Sequence, residues 1–317
     1  MNNPYAVIDI GSLKVKFLIA SVTPQHSLTE LYASSTLTCL GCDMDLKEDA
    51  ILESNAEKTY TELRRCAQIM QEHQVAKVRI VATQTLRRAS NSKEVTQNIE
   101  RILNAPVEII DHQEEAALFF KAVMSDMPEN LPNHLVVDMG GGSVQLIIGR
   151  PKEIHSINMM PTGAAYLHDK YIKEPQSEKS KTHPEELKLL KTFIHEQIRN
   201  TGIDRSAFQG IPIVYGSSNI ADLFDHIGIP LSTDGPSQTH PMTTHPQHLQ
   251  TFVDSILPYT YEEREAMFNF QKGYMWGIDK AFANIIALAD EFNSSVIIPS
   301  NANISQGIIF SLAQIET

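Results

Sequence analysis

Apolar residues open the chain in two short runs, Tyr5 to Ile10 and Val15 to Ala20, with Gly11-Ser12-Leu13-Lys14 between them. Two such runs around a tight glycine turn predict a pair of strands. Leu28 to Thr38 supplies a third strand. The period then changes. Leu52, Ala56, Tyr60, Leu63, Ala67 and Met70 recur at steps of three and four, which gathers them on one helix face. Val78 to Ala82 reads as a buried strand, Glu94 to Leu103 as a helix, Val107 to Ile110 as a strand and Gln113 to Met124 as a helix. Pro128 to Pro132 is a polar, proline-bearing break where a domain boundary is expected.

Beyond the break the opening pattern returns. Leu135-Val136-Val137-Asp138 runs into Met139-Gly140-Gly141-Gly142-Ser143, and Val144 to Gly149 is apolar again. Strand, Asp-x-Gly turn and strand recur about 130 residues after their first appearance. An internal duplication on that scale predicts two related α/β domains facing each other. The first is expected over residues 1–126 plus about 300–317, the second over 127–299. Lys173 to His183 is a charged loop, and Glu185 to Ile198 a helix. Ile211 to Tyr215 is a strand ending at Gly216-Ser217-Ser218, and Ile220 to Ile227 a helix. Pro230 to Pro246, rich in proline and polar residues, reads as a linker. The last third is mostly helical, with Trp276 to Ala289 its longest stretch, a strand at Val296 to Ile298 and a helix at Gln306 to Ile315.

Charge narrows the function. Lys and Arg total 26 against 38 Asp and Glu, a net charge of −12. A general nucleic-acid binder would carry a basic face instead. No apolar run approaches the ~18 residues of a membrane span, and the N-terminus has no basic segment ahead of its apolar run, so neither membrane nor signal peptide is expected. Three cysteines suit a reducing cytoplasm, the expected location.

The two Asp-x-Gly turns carry the candidate chemistry. A tight strand turn leaves backbone N–H groups pointing outward, an anion cradle that needs no side-chain charge. Asp9 or Asp138, just before each turn, is placed to hold Mg²⁺. Cys39-Leu40-Gly41-Cys42 lacks a second ligand pair for zinc and reads as two ordinary thiols. His240, His245 and His248 read as part of a solvated loop leading into a helix.

At this point the chain resembles a known family. Ala6-Val7-Ile8-Asp9-Ile10-Gly11-Ser12, Ala82-Thr83-Gln84-Thr85-Leu86-Arg87-Arg88-Ala89, Glu114-Glu115-Ala116 and Val137-Asp138-Met139-Gly140-Gly141-Gly142-Ser143 fall in the order and spacing of the exopolyphosphatase/guanosine pentaphosphate phosphohydrolase family. Fainter echoes lie at Pro161-Thr162-Gly163-Ala164, Gly216-Ser217-Ser218 and Ser305-Gln306-Gly307-Ile308. The resemblance implies two ribonuclease-H-like domains of the actin-like ATPase superfamily facing across a cleft. It implies Mg²⁺-dependent hydrolysis of a terminal phosphoanhydride of polyphosphate or guanosine pentaphosphate, and, since dimers occur in the family, a homodimer as a weak expectation. Glu115 matches the glutamate that activates water, with Glu114 as its alternate. Gly11, Ser12, Lys14, Arg87, Gly140, Gly141, Gly142 and Ser143 are the expected phosphate contacts, and Asp9, Asp138 and Gln145 the expected metal ligands.

The chain also departs from the family pattern. Leu13 and Lys14 stand where Asn and Ser are usual, and Val144-Gln145 where Thr-Glu is usual. Ala117, Tyr166 and Cys39 occupy positions usually held by Arg, Ser217-Ser218-Asn219 replaces a Gly-rich segment, and no Arg is matched around Gly277-Ile278-Asp279. Each lost Arg removes up to ~1.5–3 kcal/mol of charge-assisted hydrogen bonding to phosphate. The alternative expectation is therefore a weakened or inactive paralogue that binds a guanosine polyphosphate. An actin-like kinase with an adenosine pocket near Gly216 to Asn219 is a third.

Overall fold

A computed structural model describes residues 4–23, 28–42, 44, 49–172, 179–216, 219–271 and 274–313. Two five-stranded mixed sheets carry the fold, one in each of two units. The first unit runs to Ala122 and resumes at Asn303, and the second is Val123–Ala302. Their topology is the ribonuclease-H-like one that the resemblance implies.

In the first unit the strands are β1 (Tyr5–Ile10), β2 (Lys14–Val22), β3 (Leu28–Leu37), β4 (Lys77–Ala82) and β5 (Val107–Ile109), in the order β3-β2-β1-β4-β5. Only β2 runs against the others. Alternation sorts the faces. Ala6, Ile8, Ile10, Val15, Phe17 and Ile19 point into a core with α1 (Glu53–Glu72) and α3 (Ser92–Leu103). The predicted helix face on α1 is real: Ala56, Tyr60 and Leu63 are buried, and Leu52 sits just before the first turn. Val7, Leu18, Ala20 and Val22 point the other way, onto α11 (Ile304–Leu312) and onto Leu118 of α4 (His112–Met124). By parity Asp9, Lys14 and Lys16 belong to this second face.

The second unit repeats the plan. β6 (His134–Met139), β7 (Val144–Arg150), β8 (Glu153–Met160), β9 (Ile213–Gly216) and β10 (Ile297–Pro299) are ordered β10-β9-β6-β7-β8, with β7 the lone reversed strand. Leu135, Val137, Met139, Val144, Leu146 and Ile148 face a helical layer of α5 (Ala164–Tyr171), α6 (Pro184–Asn200), α8 (Pro246–Ile256) and α10 (Tyr274–Phe292). Asp138 and Gln145 point to the opposite face.

Some elements escape the sequence reading. β8 is a polar edge strand without clean alternation, α2 (Gln84–Arg88) is too short to show a period, and α5 follows directly on Gly163. Residues 173–178 of the predicted charged loop lie outside the described residues. The 230–246 stretch is no solvated linker. Ser232 bridges to Thr243 and Thr244 to Ile297, and His240 is buried. His240 Nε2 lies 2.7 Å from Ser300 Oγ, while Asp126 accepts from Ser237 Oγ, Thr239 N and Thr239 Oγ1. Polar groups that satisfy one another in this way need no water.

Candidate active site

Both Asp-x-Gly turns are closed by the same hydrogen bond. Gly11 N donates to Lys14 O at 3.0 Å in the first, and Gly140 N to Ser143 O at 2.9 Å in the second. Cross-strand pairs correspond as well: Asp9 lies opposite Lys16, and Asp138 opposite Gln145. The duplication thus extends to individual positions, with Lys14 standing where the second turn has Ser143.

Each turn is gripped from behind through its carbonyls. In the second unit the first amides of α5 do this. Ala165 N and Tyr166 N donate to Gly141 O at 2.8 and 3.1 Å, and Ala164 N to Gly140 O at 3.3 Å. In the first unit the segment after β3 does the same: Thr38 N and Cys39 N donate to Leu13 O, and Gly41 N to Ser12 O, all at 2.9 Å. A trans peptide unit points its C=O and N–H in opposite directions. Tying down the carbonyls of Gly140 and Gly141 therefore turns the N–H groups of Gly141 and Gly142 away from α5. Neither amide donates to a backbone carbonyl of the described residues. Such outward N–H groups are what an anionic oxygen needs.

The grip demands glycine behind the turn. A Cβ on Gly163 would overlap the Gly141 carbonyl, and one on Gly41 would overlap Thr85 Oγ1. Thr85 in turn donates to Ser12 Oγ at 2.7 Å, which leaves the Ser12 hydroxyl its own proton to give. The Cys39–Cys42 segment is thus a backbone clamp, and neither thiol is in a disulfide.

Glu115 sits in the first turn of α4, whose start is capped by Asp111 Oδ1 accepting from Glu114 N at 2.8 Å. Arg87, at the end of α2, holds Glu115 Oε2 with both Nη1 and Nη2 at 3.1 Å. Nη1 also donates to Ile110 O, and Nη2 lies 3.1 Å from His112 Nδ1. All four Nη–H directions of Arg87 are therefore engaged, so its Nη groups meet a phosphate only by exchanging a partner. Glu114 turns elsewhere, to Arg79 at 2.5 Å, in an exposed network with Glu108. Both glutamates have an arginine partner, and Glu115 is the less exposed of the two.

The electrostatics differ between the hairpins. Burial pushes the Asp9 carboxyl above its usual range, with Lys16 pulling the other way. Burial and neighbouring Lys16 lower the Lys14 ammonium. A cation already facing Asp9 makes it a poor seat for Mg²⁺. In the second hairpin Gln145 is buried and its Oε1 has no hydrogen-bond partner among the described residues. A buried, orphaned oxygen across from a half-buried Asp138 fits a hard cation.

One polar cluster was not foreseen. Arg264, Asp279 and Lys280 are fully buried, with Asp279 bonded to Arg264 Nη1 at 3.0 Å and to Lys280 Nζ at 2.9 Å. Burial raises the Asp279 carboxyl, but the two cations outweigh it and hold it low. The signal is an Asp-Lys pair among the apolar residues of the first half of α10. Ser217 and Ser218 lie outside the described residues, and Tyr166 packs on Phe193 and Lys170 rather than presenting a cation.

The guanosine-5'-triphosphate,3'-diphosphate pyrophosphatase of Vibrio cholerae is 29% identical over 172 residues, 54% of this chain and 34% of that protein. The match thus covers about a third of that relative's length. A Ppx/GppA family member from Aquifex aeolicus has a TM-score of 0.81 at 22% identity, covering 99% of this chain and 98% of its own. An exopolyphosphatase from Cytophaga hutchinsonii has a TM-score of 0.79 at 20% identity, covering 99% of each chain. At those identities the solved structures speak for the fold. The model of the Ppx/GppA phosphatase family matches residues 18–316, nearly the whole length, and the chain belongs to that family.

Proposed function

We propose that this chain is a Mg²⁺-dependent phosphohydrolase of the cytoplasm that cleaves a terminal phosphoanhydride of inorganic polyphosphate or guanosine pentaphosphate. The observation that carries the reading is the carbonyl-anchored Gly140–Ser143 turn with its outward amides. Family membership and the guanosine-polyphosphate pyrophosphatase named among its relatives support it.

Phosphoryl transfer asks for charge neutralisation, alignment and an oriented water. The Gly141 and Gly142 amides and the Ser143 hydroxyl are the proposed phosphate contacts of the second unit, and the Ser12 hydroxyl and Lys14 are those of the first. Glu115 accepts a proton from water as the new P–O bond forms and the terminal P–O bridge breaks. Asp138 and Gln145 would hold Mg²⁺, which supplies positive charge to the phosphate oxygens when bound. Among the described residues no three His, Cys, Asp or Glu side chains gather to hold a metal ion. Mg²⁺ held there would take water and substrate oxygens as its further ligands, its usual habit.

Phosphate release from polyphosphate and from guanosine pentaphosphate, with Mg²⁺ present, tests the reading. Glu115→Gln is expected to lower kcat by about 10²–10⁴ with KM little changed, the contribution of a general base. Absence of release by wild type from either substrate overturns it. A second reading rests on Gln145 and Tyr166, where the family pattern has Glu and Arg: a paralogue that binds a guanosine polyphosphate without turnover. Titration calorimetry showing tight binding without phosphate release decides for that reading.

A further inference from the structure

His112 is a residue that the family pattern does not explain. It opens α4, and its side chain is about two-fifths exposed. Its Nδ1 lies 3.1 Å from Arg87 Nη2 and 3.9 Å from Glu115 Oε2. An arginine nitrogen only donates, so a ring nitrogen at 3.1 Å from it must bring a lone pair. That requires the neutral imidazole with its proton on Nε2.

From this arrangement we propose that His112 is a positioning residue. Its neutral ring accepts the remaining Nη2–H of Arg87 and so keeps the guanidinium clasped on Glu115. The inference rests on the role of Glu115 given above. The charged groups facing the ring are Arg87 from α2, and Asp111 and Glu115 from its own segment. Burial and Arg87 lower the imidazole below its usual range, with Asp111 opposing them. At neutral pH the ring is therefore neutral and the clasp is closed. Protonation turns Nδ1 into a donor facing a cation. The ring then leaves Arg87 for the Glu115 carboxylate, three residues along the same helix, and competes for the oxygen that Arg87 holds.

The acid side of the pH–rate profile should carry this event. In wild type, kcat falls as pH drops below the ~6.5 of an ordinary imidazole. His112→Ala is expected to lower kcat at neutral pH by about tenfold, the size of effect seen when a supporting partner of a functional group is removed. KM should stay near its wild-type value, and the inflection should disappear. His112→Asn, whose Oδ1 also accepts from Arg87, should recover most of the neutral rate without recovering the inflection. Full kcat and an unchanged profile in His112→Ala overturn the proposal, as does Asn performing no better than Ala.

A second measurement does not need turnover. Proton NMR of the His112 ring should give a titration midpoint below the usual range in wild type and an upward shift in Arg87→Gln. If the protein releases no phosphate from any substrate, the hydrolase reading fails, and this titration alone judges His112. An identical midpoint in wild type and Arg87→Gln then overturns the coupling.

Discussion

Arg87 and Glu115 show what one sequence can and cannot reveal at the scale of the residue. Both are legible as motif members, but their bond is not, because it joins the end of one helix to the start of another across 28 positions. Reading each alone sends Arg87 to phosphate; the geometry gives it Glu115, Ile110 and His112 as partners. Gln145 is the reverse case. Its type announces a lost charge, and the structure adds that its Oε1 is buried and, among the described residues, unpartnered beside Asp138. Restoring the carboxylate with Gln145→Glu puts like charges on directly opposed residues of neighbouring strands, which is destabilising without metal. It also adds a charged ligand for Mg²⁺. The expected outcome is a melting temperature below wild type in chelator that rises steeply with added Mg²⁺, while wild type responds weakly. Calorimetric melting across a Mg²⁺ series checks this, and equal responses would remove the second hairpin from consideration as the metal seat.

Among the elements, those with a regular apolar period were readable, and those shaped by contact were not. α1 shows its buried face in sequence because its neighbours lie on one side. β8 and α5 do not, since β8 lies at a sheet edge and α5 owes its start to the turn it clamps. The 230–246 stretch misleads for a related reason: its polar side chains are spent on each other and on Asp126 and Ser300, not on water. Two glycines separate stability from function here. Gly163→Ala drives a methyl into the Gly141 carbonyl, and Gly307→Ala drives one into the Leu118 carbonyl where α11 meets α4. Each overpacking should cost ~1–3 kcal/mol. Only the first should also move the Gly141 and Gly142 amides. Denaturant melts should therefore show both variants weakened, while KM for the phosphate substrate rises in Gly163→Ala alone.

For the molecule as a whole, duplication was visible from two turns, and the structure extends it to sheet order, turn closure and carbonyl clamps. The halves have since diverged in charge, with Lys14 and Lys16 in one hairpin where Ser143 and Gln145 stand in the other. These cations act within about a Debye length of ~8–10 Å. The net charge of −12 acts further out and opposes a polyanion on approach. At fixed free Mg²⁺, kcat/KM for long polyphosphate should therefore rise as salt is increased from low ionic strength toward about 0.15 M, where screening shortens that repulsion. A triphosphate-length substrate should respond less. A monotonic fall for both substrates would mean that local cations, not the overall charge, govern capture.

The carbonyl clamps have a bearing on mutational robustness. A seat for phosphate built from peptide amides has no side chain that a point mutation can delete. Leu13 for Asn, Val144 for Thr and Gln145 for Glu can accumulate around such a seat while the seat itself persists. Its vulnerable points lie behind it, at Gly163, where an added methyl group overlaps the Gly141 backbone, and at Gly41, where one overlaps the Thr85 hydroxyl. Drift of the side chains around the turn and survival of its backbone frame can then run on separate clocks.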